Sequence, residues 1–385
     1  MPPTPRKIRV AYLVTHPIQY QAPLLRRISA EPDIDLKVFF ESDISVCTFS
    51  DPGFGRTLRW DTDLLGGYEH EFLPALGPTD RVSTLQPLNF GFARRLREGG
   101  FTALWVHGYM RPFHWHAILA AKRLGLKVLV RDEATAVSRP RSPLNRRWQK
   151  LFFRWLRKRV DAFLAIGSLN RQYYLANGID PRRAFLMPYA VDNEFFQQQA
   201  KKAATNRIAL RRSLGLREEK PVVLFAGKMI PRKRPLDLLR AWTLLGERRP
   251  YLVFVGDGPL MVRLQHEAGR FGSGEILLTG FRNQSELPAF YDLCDVFVIP
   301  SEYEPWGLVV NEAMNAGRAI LAADQVGCAA DLVGNSDNGF IYRTGDVHDL
   351  SRVLRLAIGD RARLDAMGRR SLEIINGWNF ETDVA

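Results

Sequence analysis

Short runs of β-branched, aliphatic and aromatic residues recur along the chain, separated by longer stretches whose apolar positions return at helical spacing. In the first half these runs predict strands over Ile8–Val14, Leu36–Phe40, Ala103–His107, Lys127–Arg131, Ala162–Ile166 and Ala184–Met187. Helices are predicted between several of them, over Tyr20–Ala30 and Phe113–Leu124 among others. The second half repeats the rhythm, with strands over Val222–Ala226, Tyr251–Val255, Glu275–Thr279, Val296–Ile299, Ala319–Ala322 and Gly339–Tyr342. Alternating strand and helix predicts parallel, doubly wound α/β sheets. At 385 residues the chain exceeds one ordinary core, so two domains are expected. The polar segment 197–207 (QQQAKKAATNR) marks the expected boundary, giving domains 1–200 and 201–375.

Composition narrows the class. A hydrophobic content of 46% with 25% charged residues is that of a globular protein, which excludes disorder as the default. Cys47, Cys294 and Cys328 are odd in number and far apart, fitting neither a disulfide framework nor a zinc site and pointing to a reducing compartment. The opening residues read as a first strand and not as a signal peptide, and no run approaches the ~18 apolar residues a membrane span needs. A cytoplasmic protein is expected, either soluble or peripheral at the inner face of the membrane.

Charge changes the picture in one place. The net charge is +13, and residues 1–200 carry 29 Lys and Arg against 18 Asp and Glu. The excess is densest over 139–159, where nine cations interleave with Trp148, Leu151, Phe152, Phe153, Trp155 and Leu156. Such a stretch suits an interfacial helix at an anionic membrane, and equally a helix packed on a sheet with solvated arginines. Nucleic acid is not expected as a partner, because no recognition motif accompanies the charge.

In open α/β sheets ligands sit beyond the carboxyl ends of the strands, so the residues that follow each strand matter most. Gly227 and Lys228 follow the Val222–Ala226 run, and Arg232, Lys233 and Arg234 come next, a glycine turn with cations suited to a phosphate-bearing ligand or simply solvated. Gly256-Asp257-Gly258-Pro259 follows Tyr251–Val255; as a packing turn or a site lining, it lacks the spacing of a dinucleotide fingerprint. After Val296–Ile299 a loop carries Glu304, and a helix is expected to start near Gly307 with Glu312 inside it. Free N–H groups of a first helical turn hold anions, and carboxylates accept from hydroxyls, a combination matching a nucleotide sugar. Helix capping by Glu304 and simple exposure of Glu312 are the alternatives.

The pattern Glu304-x7-Glu312 followed by Ala313-Met314-Asn315-Ala316-Gly317 resembles the signature of family 4 retaining glycosyltransferases of GT-B fold. Gly280-Phe281, the stretch from Asp295 to Ser301, the Gly256 turn and the Gly227 loop match it in order and spacing. The resemblance runs over about residues 220–345; the N-terminal half matches only in general layout. It implies two Rossmann-like domains with parallel doubly wound sheets facing across a cleft, acceptor in the first and donor in the second. The family usually continues past the end of this sequence into a helix packing back on the first domain, so 375–385 is expected to complete that domain in part. Carried over residue by residue, Lys228 and Lys233 would clamp the donor diphosphate and Glu304 would hold sugar hydroxyls. Backbone of Trp306, Gly307 and Leu308 would touch sugar and phosphate, Glu312 the ribose, and backbone around Phe281 and Arg282 the base. Lys228 stands where arginine is usual, Arg234 where glycine is usual, and Pro305-Trp306 replace a small residue and phenylalanine.

In the first half, His107 resembles the first histidine of the family's His-x-His, with Tyr109 at the second place. This implies contact of His107 with the reacting sugar or the incoming acceptor and puts Tyr109 on the acceptor side, a structural histidine being the alternative. His16 and Gln19 follow the first predicted strand and Arg131 ends the fourth, Lys127–Arg131; these are acceptor-side candidates or structural residues. Asp61-Thr62-Asp63 looks like a metal-binding pair but lies far from every phosphate feature, so no metal and no other cofactor is expected. The function expected is retaining transfer from a UDP- or GDP-sugar to a saccharide, lipid-linked or small-molecule acceptor hydroxyl, in polysaccharide or glycolipid assembly. A nucleotide-sugar epimerase or phosphorylase on the same scaffold, and a catalytically inactive sugar-nucleotide binding protein, are the alternatives. The oligomeric state is left open.

Overall fold

The computed structural model describes residues 7–135, 143–271 and 274–384. The chain divides into two compact units, 1–49 with 62–188 and 380–385, and 50–61 with 189–379. The division therefore falls at Pro188/Tyr189. The polar segment 197–207, expected to be the boundary, is instead the middle of a single helix, Asn193–Ser213. Its composition reflects a helix with little buried surface, in which Phe196, Ala200 and Arg211 are the buried residues.

The first unit is a seven-stranded parallel sheet. From edge to edge its strands are Ala184–Leu186, Ala162–Ala165, Lys127–Asp132, Ala103–His107, Ile8–Val14, Ile34–Phe40 and Glu69–Phe72. Numbered along the chain, the order is third, second, first, then fourth to seventh. The Glu69–Phe72 strand, Glu-His-Glu-Phe, is absent from the sequence expectation because it carries a single apolar side chain. It sits at the sheet edge, where Glu69 and Glu71 each lie 3.1 Å from the Lys37 ammonium of the neighbouring strand. The short helix Phe380–Val384 belongs to this unit, and Glu381 pairs there with Arg27 at 3.7 Å.

The second unit repeats the winding with six parallel strands: Ile276–Leu278, Tyr251–Val255, Val222–Ala226, Val296–Ile299, Ala319–Ala323 and Gly339–Tyr342. Every residue of Val222–Ala226, Tyr251–Val255, Val296–Ile299 and Ala319–Ala323 is buried, as a sheet covered by helices on both faces requires. Asp295 fixes the sheet's starting edge: its carboxylate accepts from the Val222 amide at 2.8 Å and from Arg361 at 2.8 Å. Asp192, Asp346 and Asp360 cap three of this unit's helices through their side chains.

The helix Pro235–Thr243 carries the largest fully buried side chain among the described residues, Trp242, whose indole N–H donates to the Pro250 carbonyl at 2.8 Å. Trp242→Ala leaves a cavity and an unmet carbonyl, and costs the second unit about 3–5 kcal/mol. The check is a urea titration followed by circular dichroism; a midpoint within error of the wild type would contradict this packing.

Candidate active site

Each sheet reverses its winding beside its first strand, and a crevice opens at the carboxyl end of such a reversal. In the second unit the reversal lies between Val222–Ala226 and Val296–Ile299, so the loops that begin at Gly227 and Pro300 flank it.

The Gly227 loop is tied down from two sides. The Gly227 amide donates to Val255 at 2.9 Å and the Met229 amide to Asp257 at 2.8 Å, which locks it to the next strand's turn. A Cβ at Gly256 would lie 1.9 Å from the Gly227 carbonyl oxygen, so the two turns close on each other only because that position is glycine. The following 3-10 turn, Pro231–Lys233, is tied to the other loop: the Glu302 amide donates to the Arg232 carbonyl at 2.8 Å, and Arg232 donates to the Tyr303 carbonyl at 3.1 Å. These ties bring Lys233 to Glu304, and the two form an ion pair with side chains only 15% and 13% exposed. Arg234 adopts the left-handed conformation, φ 49°, which explains why glycine is usual there. Its side chain pairs with Asp237 at 2.6 Å.

Glu304 is held by its own backbone, which bridges Val326 and accepts from the Gly327 amide at 2.9 Å. Gly307 caps the helix Leu308–Asn315, whose first-turn N–H groups have no carbonyl four residues earlier to receive them. Trp306 is 3% exposed, stacked on Trp378 at 5.5 Å, with its indole N–H on the Asn311 side chain at 3.0 Å. Its ring thus anchors the loop and leaves only backbone for a ligand. Inside the helix, Glu312 accepts from the Tyr291 hydroxyl at 2.6 Å, and burial pushes its carboxyl up to about 7.

Lys228 has a partner that sequence reading missed. Its ammonium lies 2.8 and 3.0 Å from the two carboxylate oxygens of Asp51 and 5.0 Å from the centre of the Phe54 ring. Phe54 meets Phe281 edge-on at 5.1 Å, and Arg282 is taken up by Glu286 at 3.1 Å. The repeated glycines of Asp51-Pro52-Gly53-Phe54-Gly55 were the available signal for a tight hairpin. Asp61 accepts from the Ser285 amide at 3.2 Å, and Asp63 from the Leu65 and Gly66 amides at 3.1 and 3.0 Å. Those backbone bonds hold the Asp63 carboxyl below its usual range. The two carboxylates serve turns in different units, and among the described residues no group of three or more His, Cys, Asp or Glu could hold a metal ion.

In the first unit the reversal lies between Ile8–Val14 and Ala103–His107. His16 and Gln19, both partly buried, follow the one and His107 ends the other. The Gln21 amide, also missed from sequence, spans them: its oxygen accepts from the Tyr12 hydroxyl at 3.0 Å and its nitrogen donates to His107 Nε2 at 3.2 Å. Burial, with Arg131, His114 and His16 nearby, lowers the His107 pKa to about 3, so its imidazole is neutral. Burial lowers His16 to about 4. Beside them Glu41, fully buried after the second strand, accepts from His114 at 2.6 Å and pairs with Arg111 at 3.1 Å.

Two acceptor-side expectations are corrected. Tyr109 is 3% exposed, its ring packed 5.4 and 6.0 Å from Phe152 and Phe153 in the core. Arg131 is 2% exposed and donates to the Met187 and Pro188 carbonyls, each at 2.9 Å, a bracing role. In the basic stretch, the helix Pro143–Leu156 turns Phe153 and Leu156 into the core and leaves Trp148 and Leu151 exposed. Arg139 and Arg141 lie outside the described residues. Among the described residues no helix is long and apolar enough to cross a membrane.

Two doubly wound parallel units, each with its polar residues at the winding reversal, define the GT-B fold. HepE of Anabaena in complex with UDP superimposes with a TM-score of 0.72 over 98% of this chain and 97% of that one, at 16% identity, a likeness of fold. The sequence profile described as "Glycosyl transferases group 1" matches residues 206–373. The GDP-mannose-dependent alpha-mannosyltransferase of Mycobacterium tuberculosis is 30% identical over 298 residues, 76% of this chain and 74% of that protein. The sulfoquinovosyl transferase of Arabidopsis thaliana is 31% identical over 225 residues, 57% of this chain. The chain belongs to the glycosyl transferases group 1 family. It spans less than half the length of several curated relatives that it matches, 42% of the Arabidopsis protein.

The raised Glu312 pKa has a stability signature. A carboxyl that binds its proton more tightly when folded contributes fully below its unfolded value of 4.5, and that contribution is lost as pH rises through about 7. Glu312→Gln removes the loss, so the variant gains on the wild type in thermal midpoint between about pH 5 and about pH 8. A difference independent of pH would mean that Glu312 is not desolvated.

Proposed function

We propose that the chain transfers a glycosyl group from a UDP- or GDP-sugar to an acceptor hydroxyl, with retention of configuration and without a metal. The observation that carries this reading is the Lys233–Glu304 pair in the loop that leads into the N-terminus of Leu308–Asn315, at the winding reversal of the second sheet. Breaking the bond from the anomeric carbon to the diphosphate leaves negative charge on the departing phosphate. Lys228, Lys233 and the amides of Gly307 and Leu308 are the groups to receive it, and fixed cations stabilise such charge because they need no reorganisation. Glu304 takes sugar hydroxyls and Glu312 the ribose.

The acceptor oxygen forms its bond to the same face that the diphosphate leaves, and its proton passes to a departing phosphate oxygen. No side-chain nucleophile is needed, which agrees with Cys294 and Cys328 being buried thiols whose pKa burial raises. His107, neutral and oriented by Gln21, serves the acceptor or the reacting sugar as a hydrogen-bond partner and not as a cation. The acceptor is a saccharide, lipid-linked or small molecule. A lipid-linked one is favoured by exposed Trp148 and Leu151 beside exposed Arg147 and Lys150, a pairing that suits peripheral contact at the cytoplasmic face of an anionic membrane.

Calorimetric titration with UDP, GDP, ADP and CMP in EDTA tests the donor side. One nucleotide binds without metal, and Lys228→Ala and Lys233→Ala each weaken it roughly 10- to 100-fold, the worth of a hydrogen bond to a charged group. Binding only after magnesium is added would refute the cation assignment. On the acceptor side, the protein sediments with anionic vesicles at low salt, and Trp148→Glu with Leu151→Glu abolishes this; equal sedimentation of both proteins removes the membrane role.

A further inference from the structure

Residues 50–61 interrupt the first unit's sequence yet belong to the second unit. They form a strap built on a two-stranded hairpin, Phe49–Asp51 with Arg56–Leu58. Its far half is tied to the turn after Ile276–Leu278. Asn283 donates to the Arg59 carbonyl at 2.8 Å, the Ser285 amide donates to Asp61, and Trp60 lies 6.4 Å from Phe281. Arg56 sits over the Phe281 ring at 5.4 Å and pairs with Asp257 at 3.6 Å.

The tip reaches the diphosphate lysine. The Asp51 carboxylate accepts from the Gly53 amide at 2.7 Å and the Phe54 amide at 3.2 Å, which folds the tip, and it takes the Lys228 ammonium at the same time. The tip's backbone lies flush on the second glycine turn: a Cβ at Gly258 would stand 2.8 Å from the Gly53 carbonyl oxygen. The second glycine of Gly256-Asp257-Gly258 thus makes room for the strap. Pro52 and Gly55 at the tip are exposed, so the contacts of Asp51, Gly53 and Phe54 are those that open for it to move.

The Asp51 carboxylate competes with a phosphate for the Lys228 ammonium, and left beside a diphosphate it repels it. We propose that Asp51 is a placeholder for the donor diphosphate: it holds Lys228 in the unliganded protein, and the entering diphosphate displaces it and lifts the strap tip, Asp51–Gly55. The proposal rests on the donor reading above, since it needs Lys228 to meet the diphosphate. The far half of the strap stays docked, so Phe54 swings about a fixed anchor while Trp60 stays beside Phe281.

The test pairs Asp51→Asn with the wild type. Asparagine keeps an oxygen for the Gly53 and Phe54 amides and removes the charge that competes for Lys228. Calorimetry with UDP and GDP is expected to show about tenfold tighter binding by the variant. In the wild type, hydrogen exchange of the peptide spanning residues 50–61 is expected to speed up when the bound nucleotide, or inorganic pyrophosphate alone, is added. Pyrophosphate carries no base, so its effect isolates the exchange at Lys228. Affinities within twofold of each other, with exchange of the strap unchanged, overturn the placeholder and leave the donor reading standing. If neither protein binds any nucleotide, the donor reading falls and the placeholder falls with it.

Discussion

A parallel strand is followed by a right-handed crossover, so a sheet that grows in both directions from its first strand must send its helices to opposite faces. The loops beside that first strand then part, and nothing in the sheet fills the space between them. Both units of this chain are wound in that way, and nearly every polar residue that stands out chemically is found where the winding reverses. His16, Gln21 and His107 are placed so in the first unit, Lys228, Lys233 and Glu304 in the second. The buried apolar strands determine the edge, and the loops only need to be short and well tied to present their side chains there.

What could be read from the sequence follows from how local each signal is. Strands buried on both faces are uninterrupted apolar runs, and Ile8–Val14, Ala103–His107, Val222–Ala226, Tyr251–Val255, Val296–Ile299 and Gly339–Tyr342 have the predicted limits. The Glu69–Phe72 edge strand was illegible because its stability comes from Lys37 on a neighbouring strand and Arg95 on a helix, not from its own hydrophobicity. Segment 197–207 misled because low apolar content marks an exposed helix face as well as a linker. Tyr109 misled for a related reason: a position beyond a strand end faces a crevice only if no helix covers it, and Phe152 and Phe153 cover this one. The glycines of the strap signal a turn, but where the strap docks was out of reach. Its twelve residues have no periodicity, and Asp51 is 177 positions away from the lysine it holds.

Within the second unit, the electrostatics share a feature that no single residue reveals. Each cation assigned to the diphosphate already has a carboxylate: Lys233 has Glu304 and Lys228 has Asp51. Leaving a half-buried ammonium without a counter-ion is costly, so partners of this kind keep the lysines in position in the absence of ligand. The two partners differ in what surrounds them. Glu304 is fixed by a backbone bridge to Val326 and cannot leave, which suits a residue that stays to meet sugar hydroxyls. Asp51 is on a hairpin tip whose neighbours Pro52 and Gly55 are exposed, which suits a residue that departs.

That difference also gives a reason for lysine at position 228, where the family resemblance led us to expect arginine. A guanidinium binds a carboxylate through two parallel hydrogen bonds in a fixed plane, so replacing the carboxylate with a phosphate means breaking both and reorienting the fork. An ammonium is a compact charge on a flexible stem whose three donors turn freely. It can pass from Asp51 to a diphosphate by a small rotation of its last torsions. The loss of the bidentate grip, which as a sequence feature looked like a weakness of the phosphate site, is then a consequence of giving that site a second, internal ligand. The aromatic contact fits the same account, since Phe54 lies under the ammonium at 5.0 Å and holds it by a non-directional attraction that does not specify which anion it meets.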